Sequence, residues 1–205
     1  YADFSCYGAK TIATPHIDEL AANGIRFTNA YAPASTSSPS RYALLTGEYA
    51  FRKRVGILPA DAPLTIDPQS NNLPLQLKSS GYTTGIVGKW HLGLGNRNET
   101  VDFNKKITAG MRSVGFDYSY IFPATNDRVP TIFLENDQVV NGDPNDPIKV
   151  SYRKKIGNEP TGKENPDLLT LKYYQGHDGT IINGISRIGW MSGGHKARWN
   201  DQEMG

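Results

Sequence analysis

The stretch at residues 37–47, which reads SSPSRYALLTG, constrains the fold of this chain more than any other. Ser38 is a favourable N-cap residue, and Pro39 suits the first helical position because an N–H there would have no partner anyway. The two leucines give a helix an apolar side to bury, and Gly47 can adopt the left-handed conformation that ends many helices. The pattern therefore predicts a short helix that begins beside Ser37.

Such a helix would create an anion site at Ser37. Its first amide N–H groups and the positive end of its dipole would point toward the serine, and Arg41 would lie one turn further along. The pattern S-x-P-S-R is short enough to occur by chance, so the alternative is an ordinary capped surface helix with a solvated arginine. The rest of the sequence has to decide between these two interpretations.

Two further segments carry helix signals. Residues 14–24 open with Thr-Pro and end at a glycine, and residues 72–81 open with an asparagine and also end at a glycine. In the first segment Ile17, Leu20 and Ala21 fall on one face, which we expect to pack against a sheet.

Strand patterns follow both of these helices. Residues 25–31 alternate between apolar and polar side chains, and residues 82–88 are typical of a buried strand that ends at a glycine. Residues 94–130 are rich in Gly and Asn and predict irregular structure. A hairpin turned at an Asn-Asp pair is expected within residues 131–140, and residues 181–185 return to core character. The alternation of helices and strands indicates an α/β fold.

Composition excludes several classes of protein. The 205 residues carry a net charge of +2, which gives no indication of a nucleic-acid coat or a polybasic membrane patch. No apolar run is long enough to span a membrane. Cys6 is the single cysteine, so an intrachain disulfide and a cysteine-rich zinc site are both excluded. The histidines share no metal-ligand spacing; they are His16, His91, His177 and His195.

Polar side chains follow two predicted strands at the point where each ends. Ser37 and Arg41 follow the first, and Lys89 and His91 follow the second. Because Lys89 and His91 are two residues apart, an extended backbone would place them on the same side. Arg41 and Lys89 could then bind the oxygens of a tetrahedral anion while His91 moves a proton. Taken alone, the segment containing Lys89 and His91 would be an amphipathic strand end.

Five motifs that occur in a fixed order favour the anion site over an ordinary surface helix. They read YADFSCYG, TPHIDELAANGIRFTNAYA, SSPSRYALLTG, LKSSGYTTGIVGKWHLG and VGFDYSYIF, and together they resemble the formylglycine-dependent sulfatases of the alkaline phosphatase superfamily. Residues 120–205 are similar to bacterial carbohydrate sulfatases related to N-acetylgalactosamine-6-sulfatases. The resemblance implies part of an alkaline-phosphatase-like α/β sandwich, with a mixed central sheet flanked by helices. It also implies one catalytic domain, with residues 1–118 as its core and 119–205 as a loop-rich, substrate-side segment.

The resemblance assigns roles to four side chains. In the family the residue at position 37 is oxidised to formylglycine by a maturase, and a serine there is typical of the anaerobically matured bacterial type. The hydrated aldehyde attacks sulfur, the sugar alcohol leaves, and the second hydroxyl then expels sulfate. Arg41 matches the arginine that positions the formylglycine, Lys89 the lysine that binds sulfate oxygens, and His91 the histidine that contacts the formylglycine.

The resemblance also implies a divalent cation, usually calcium, to which the formylglycine at Ser37 is a ligand. An acidic pair that binds it would lie just upstream of Tyr1, and the remaining ligands would lie beyond residue 205. Asp3 occupies a position that is not a ligand in the family. Because the chain starts at Tyr1 without a methionine, we expect it to be the N-terminal part of a longer sulfatase. The family also suggests a periplasmic or secreted location.

The substrate implied by the resemblance is a sulfated sugar or a glycosaminoglycan-type chain. Two polar clusters in turn-rich segments are candidates for contacting it; they comprise Asn126, Asp127, Arg128, His177 and Asp178. The alternatives are a surface ion pair in the first cluster and a plain turn in the second. Two other functions also remain open: a phosphonate monoester or phosphodiester hydrolase of the same superfamily, and a truncated, catalytically inactive remnant.

Overall fold

The computed structural model describes residues 3–171 and 177–204. The first two residues of the motif YADFSCYG lie outside these ranges. The chain divides into two compact units, one that ends at Ala32 and one that begins at Pro33.

The first unit contains one α-helix, α1 (Pro15–Asn23), which follows a 3₁₀ turn at Ser5–Tyr7. Asp18, in the first turn of α1, ties the helix to this 3₁₀ turn. Its Oδ1 accepts a hydrogen bond from the backbone N–H of Cys6 at 2.7 Å. The hydroxyl of Ser5 and this N–H favour the carboxylate, so the pKa of Asp18 lies below its usual range.

The strand predicted at residues 25–31 is wrong. The segment is irregular, and Ile25, Phe27 and Tyr31 are 82%, 62% and 88% exposed. Among its described residues the first unit contains no sheet, so within this unit the apolar face predicted for α1 has none to pack against, and Leu20 is 74% exposed. A strand requires the backbone groups of a neighbouring strand, and no segment among the described residues supplies them here.

The second helix, α2 (Ser37–Thr46), lies where the opening motif predicts it but begins earlier. Its N-cap residue is Thr36 in an extended conformation, so the prediction of Ser38 as the cap is wrong. Ser38 is already inside the helix with its side chain fully buried, and the proline takes the third helical position instead of the first. The predicted end is confirmed, because Gly47 is left-handed with φ 72°.

The third helix, α3 (Leu73–Ser79), begins where predicted. Asn72 caps it, and its Oδ1 accepts a hydrogen bond from the N–H of Leu75 at 3.0 Å. The strand that follows, β1 (Gly85–Lys89), is shorter than predicted. It is not fully buried as predicted, because Val87 on one face is 74% exposed.

Strand β1 lies at the edge of a four-stranded sheet. It runs parallel to β2 (Tyr118–Phe122), and Lys89 lies opposite Phe122 in the register. β2 is antiparallel to β3 (Leu134–Glu135), which is antiparallel to β4 (Gln138–Val139). This mixed sheet and the helices confirm the predicted α/β class.

Two predictions concern the segments that form β2, β3 and β4, and one of them is wrong. β2 lies within residues 94–130, which were predicted to be irregular; the surrounding Gly and Asn masked a strand in which Ser119 and Ile121 are fully buried. The hairpin between β3 and β4 is confirmed. Its turn residues, Asn136 and Asp137, both have positive φ, at 47° and 72°, as a tight two-residue turn requires.

Four short strands complete the second unit. They are β5 (Lys149–Ser151), β6 (Ile181–Ile182), β7 (Ile185–Ser186) and β8 (Trp190–Ser192), paired as β5 with β8 and β6 with β7. The core character predicted for residues 181–185 is confirmed, since both residues of β6 are buried. The second unit also contains short 3₁₀ helices at Ala50–Lys53, Met111–Val114, Pro166–Leu168 and Asp201–Glu203.

One hydrophobic core joins the loop after β1 to the sheet. Its largest fully buried apolar side chains are Ile66, Trp90, Leu92, Leu94, Met111, Val114, Ile121, Ile132, Leu134 and Met191. Trp90, Leu92 and Leu94 fix the segment that carries the polar residues beyond β1. No helix among the described residues is long and apolar enough to cross a membrane. The division into residues 1–118 and 119–205 stays a prediction.

Candidate active site

Ser37 lies in the first turn of α2, where its hydroxyl has two side-chain partners. Arg41 lies four residues further along the same helix face, and its Nε donates a hydrogen bond to Ser37 Oγ at 3.2 Å. Nδ1 of His91 lies 2.9 Å from the same oxygen, although it is 54 residues away in the chain. The fold therefore brings three of the residues predicted to act together into direct contact.

His91 reaches Ser37 from a left-handed backbone conformation, with φ 56°. The strand has already ended at Lys89, so the extended backbone on which the prediction for Lys89 and His91 depended does not reach His91. Non-glycine residues other than Asn and Asp rarely adopt this conformation, and it is tolerated where the surrounding contacts hold the backbone in place. The conformation turns the His91 ring inward, and the residue is only 2% exposed.

The hydrogen bonds of His91 fix which ring nitrogen carries the proton. Nε2 lies 2.7 Å from the backbone carbonyl oxygen of Leu58, which can only accept a hydrogen bond. Nε2 must therefore be protonated, which leaves the lone pair of Nδ1 to accept the Ser37 hydroxyl proton. Burial, and the positive charges of Lys89 and Arg128, lower the pKa of His91 from 6.5 to about 4, against the raising effect of the Leu58 carbonyl. The imidazole is neutral at physiological pH and can act as a base.

Two cations, Arg41 and Lys89, belong to the same site. Nη1 of Arg41 donates to the carbonyl oxygen of Lys89 at 2.8 Å, which ties α2 to the end of β1. Partial burial and the neighbouring Arg41 charge lower the pKa of Lys89, and no carboxylate among the described residues forms an ion pair with it. Lys89 and Arg41 line an open recess of about 420 Å³ together with Ser37 and Ser40. This recess can hold a small anion.

Ser38 and Leu58 together link α2 to His91, a connection that no sequence pattern predicted. The fully buried hydroxyl of Ser38 accepts a hydrogen bond from the N–H of Leu58 at 3.3 Å. The carbonyl of the same leucine holds His91 Nε2. Sequence patterns can identify a reactive side chain, but the role of the Leu58 backbone depends only on where the chain passes.

The segment before β3 brings a second group of predicted residues together. Nε2 of His177 lies 3.1 Å from Asp127 Oδ2, and Nη1 of Arg128 donates to Thr125 Oγ1 at 2.7 Å. The charges of both Asp127 and Arg128 act on the pKa of Lys89, so this group lies within electrostatic range of the recess. The structure thus brings the histidine and the Asp-Arg pair to one place.

The other two predicted substrate residues lie differently. Asn126 is exposed, and its backbone carbonyl is held by the side chain of Arg187. Asp178 is exposed and lines a separate recess with Lys155 and Trp190. The structure does not bring Asp178 into the group around Asp127.

The described residues do not form a metal site by themselves. No group of three or more His, Cys, Asp or Glu side chains among them could hold an ion. One of the two side chains that contact Ser37 is the guanidinium of Arg41, whose positive charge favours an anion over a cation. The structure thus gives no set of ligands for the implied cation within the described part of the chain.

Comparison with known proteins matches this geometry to a family. The sequence matches the model of the sulfatase family over residues 1–180. The chain belongs to the sulfatase family. This confirms the resemblance drawn from the five motifs. Members of this family generally use a formylglycine and a divalent metal ion.

Sulfatases from bacteria and animals resemble the chain. An N-acetylgalactosamine-6-O-sulfatase from Bacteroides thetaiotaomicron is 56% identical over 98% of the chain. Human arylsulfatase A is 43% identical over 46% of the chain and 19% of its own length. The chain spans 40% of the length of the Bacteroides relative.

Solved sulfatase structures share the fold. One, from work on the metabolism of multiple glycosaminoglycans by Bacteroides thetaiotaomicron, is 55% identical with a TM-score of 0.90, covering 99% of this chain and 42% of that one. Another, of Ps i-CgsB in complex with k-i-k-neocarrahexaose, is 28% identical with a TM-score of 0.53 and covers 68% of this chain and 34% of that one. These matches confirm the predicted alkaline-phosphatase-like architecture.

Proposed function

We propose that the protein carrying this chain is a sulfuric ester hydrolase that removes sulfate from a sulfated carbohydrate. The observation that carries the proposal is the environment of Ser37 Oγ, which lies 2.9 Å from the neutral His91 ring and 3.2 Å from the Arg41 guanidinium. Lys89 lines the same recess. A base and one cation at this oxygen, with a second cation lining the same recess, are suited to transfer of a tetrahedral oxyanion.

Ser37 is proposed to be the residue that a maturase converts to formylglycine. Once hydrated, this group supplies a nucleophile that can also release the sulfate afterwards. His91 is proposed to take a proton, through Nδ1, from an oxygen at this position. Arg41 and Lys89 are proposed to bind the sulfate oxygens and to stabilise the negative charge that develops on them.

The substrate and the cofactor are proposed from the relatives and the site together. Identity of 56% to an N-acetylgalactosamine-6-O-sulfatase favours a 6-sulfated galacto-configured sugar. Asp127, Arg128 and His177 are the proposed contacts to that sugar, because they combine hydrogen-bonding groups with proximity to Lys89. Asn126 would contribute through its exposed side chain; Asp178 has less support, since it lines another recess. Calcium is the proposed ion, and a periplasmic or secreted location is the proposed site of action.

The test is sulfate release by the intact, matured protein. N-acetylgalactosamine 6-sulfate should be hydrolysed and bis(4-nitrophenyl) phosphate should be a poor substrate, with the Ser37→Ala variant as the inactive control. Efficient phosphodiester cleavage without sulfate release would favour the phosphodiesterase alternative, since Arg41 and Lys89 suit phosphate as well as sulfate. Failure to cleave either ester would support an inactive remnant.

A further inference from the structure

Arg187 is a buried cation with an unusual set of partners. It follows β7 and is 1% exposed. Its Nη1 donates to Asp201 Oδ1 at 3.0 Å and to the backbone carbonyl of Asn126, and its Nη2 donates to the Ile182 carbonyl at 2.9 Å. The guanidinium also lies over the ring of Trp199, 5.2 Å from its centroid. Groups from residues 126, 182, 199 and 201 therefore all contact one side chain.

This arrangement does more than fill the interior. A buried ion pair contributes little net stability compared with apolar residues of the same volume, so Arg187 and Asp201 are a poor solution to packing alone. The pair instead contributes a fixed geometry, because the planar guanidinium holds its hydrogen-bond acceptors in one plane. One of these acceptors, the carbonyl of Asn126, is 61 residues away in the sequence.

The Asn126 carbonyl belongs to the turn that carries the proposed sugar contacts. A second tie lies beside the first, since the N–H of Ile188 donates to the carbonyl of Asp127 at 2.8 Å. The N–H of Val129 returns a hydrogen bond to the Ile188 carbonyl at 3.2 Å. The backbone of the turn is thus held against residues 187 and 188, which leaves the side chains of Asp127 and Arg128 to face His177 and the Lys89 charge.

We propose that Arg187 is a positioning residue that fixes the turn at Asn126–Arg128 for recognition of the sugar. The role rests on the proposed function, because it assumes that this turn contacts the sulfated sugar. Arg187 itself touches neither the recess nor Ser37. Weakening the hydrogen bonds of Arg187 should weaken binding of the sugar ring, while Arg41 and Lys89 should still bind the sulfate group.

Two variants of the intact, matured protein test this role. Arg187→Lys keeps the charge but loses the planar set of donors. Asp201→Asn removes the negative charge beside the guanidinium but keeps a hydrogen-bond acceptor there. We expect both to raise KM for the sulfated sugar about tenfold, with kcat and the inhibition constant of inorganic sulfate unchanged. Arg198→Lys is the matched control: Arg198 is also largely buried and paired with a carboxylate, Glu159, but does not touch the turn.

A double-mutant cycle separates positioning from general stability. Asp127→Ala should raise KM strongly in the unaltered protein but only slightly in the Arg187→Lys background, because the turn is already misplaced there. Additive effects, an unchanged KM, parallel increases in KM and the sulfate inhibition constant, or unfolding of both variants would each overturn the proposal. Absence of sulfate release from the unaltered protein would refute the proposed function, a result distinct from all of these.

Discussion

Ser37 acquires its chemical environment from groups at very different distances along the chain. Arg41 comes from the same helix, His91 from beyond β1, and the Leu58 carbonyl that fixes the His91 tautomer from a loop between them. Motifs in the sequence predicted the side chains of this set. The Leu58 carbonyl and the buried hydroxyl of Ser38 could not be predicted, because backbone position and burial leave no local pattern.

Lys89 can be tested without disturbing the geometry around it. Its side chain lines the recess, whereas Arg41 binds only its backbone carbonyl, so Lys89→Met removes the charge and keeps that hydrogen bond. We expect kcat for sulfate release to fall by about 10²–10³-fold, the usual cost of removing one group that stabilises an oxyanion. Steady-state kinetics measure this. Lys105→Met, at a lysine whose side chain is 80% exposed, should leave kcat unchanged.

The buried His91 makes stability depend on pH in a defined direction. Its pKa is 6.5 when unperturbed and about 4 in the folded protein, so between these values the unfolded chain binds more protons. The free energy of unfolding should therefore fall as the pH is lowered from 6.5 to 4. The variant His91→Gln lacks this titration. The stability difference between the unaltered protein and the variant, measured by urea unfolding, should shrink across this range, and a constant difference would contradict the prediction.

At the scale of elements, the segment after β1 is held in place by backbone pairing. The N–H of Thr65 donates to the Leu92 carbonyl at 2.9 Å, and the N–H of Leu94 donates to the Ala62 carbonyl at 2.9 Å. Gly93 lies between these bonds with φ 79°, and a Cβ there would come within 1.9 Å of the Pro63 carbonyl oxygen. His91 is thus positioned by a contact that only glycine permits.

Gly93→Ala should destabilise the protein by about 3 kcal/mol or more, because neither the backbone of Pro63 nor the left-handed conformation can accommodate the methyl group. Gly88→Ala is the matched control. Gly88 also has a positive φ, 102°, but nothing lies within 4 Å of its Cβ position. Gly88→Ala should lower the free energy of unfolding by about 1–2 kcal/mol, from backbone conformation alone. Urea unfolding gives both values, and equal costs would contradict the importance of the Pro63 contact.

The predictions of elements succeeded where the signal was local and failed where it depended on a partner. The left-handed end of α2 at Gly47, the cap of α3 at Asn72 and the turn at Asn136 and Asp137 are all fixed by residues within a few positions, and all are confirmed. The strand predicted at residues 25–31 failed because alternation supplies no hydrogen-bonding neighbour. The N-cap of α2 is Thr36, two residues before the predicted Ser38, and the buried Ser38 hydroxyl accepts a hydrogen bond from Leu58.

At the scale of the whole molecule, order along the sequence was more informative than any single motif. S-x-P-S-R alone could mark an ordinary capped helix, but five motifs in sequence led to the sulfatase family, which the family model confirms over residues 1–180. The chain spans 40% of the Bacteroides relative, and no metal-ligand group occurs among its described residues. The described residues include the side chains proposed to bind the anion, Arg41 and Lys89.

We propose that Ser37 is the precursor of the nucleophile. Peptide mass spectrometry of the protein purified from its native host shows whether Ser37 is converted. The peptide that contains Ser37 should be lighter than its encoded mass by two hydrogen atoms, and it should react with hydrazides, as an aldehyde does. A peptide that carries only unmodified serine, in protein from cells that contain an active maturase, would contradict the claim.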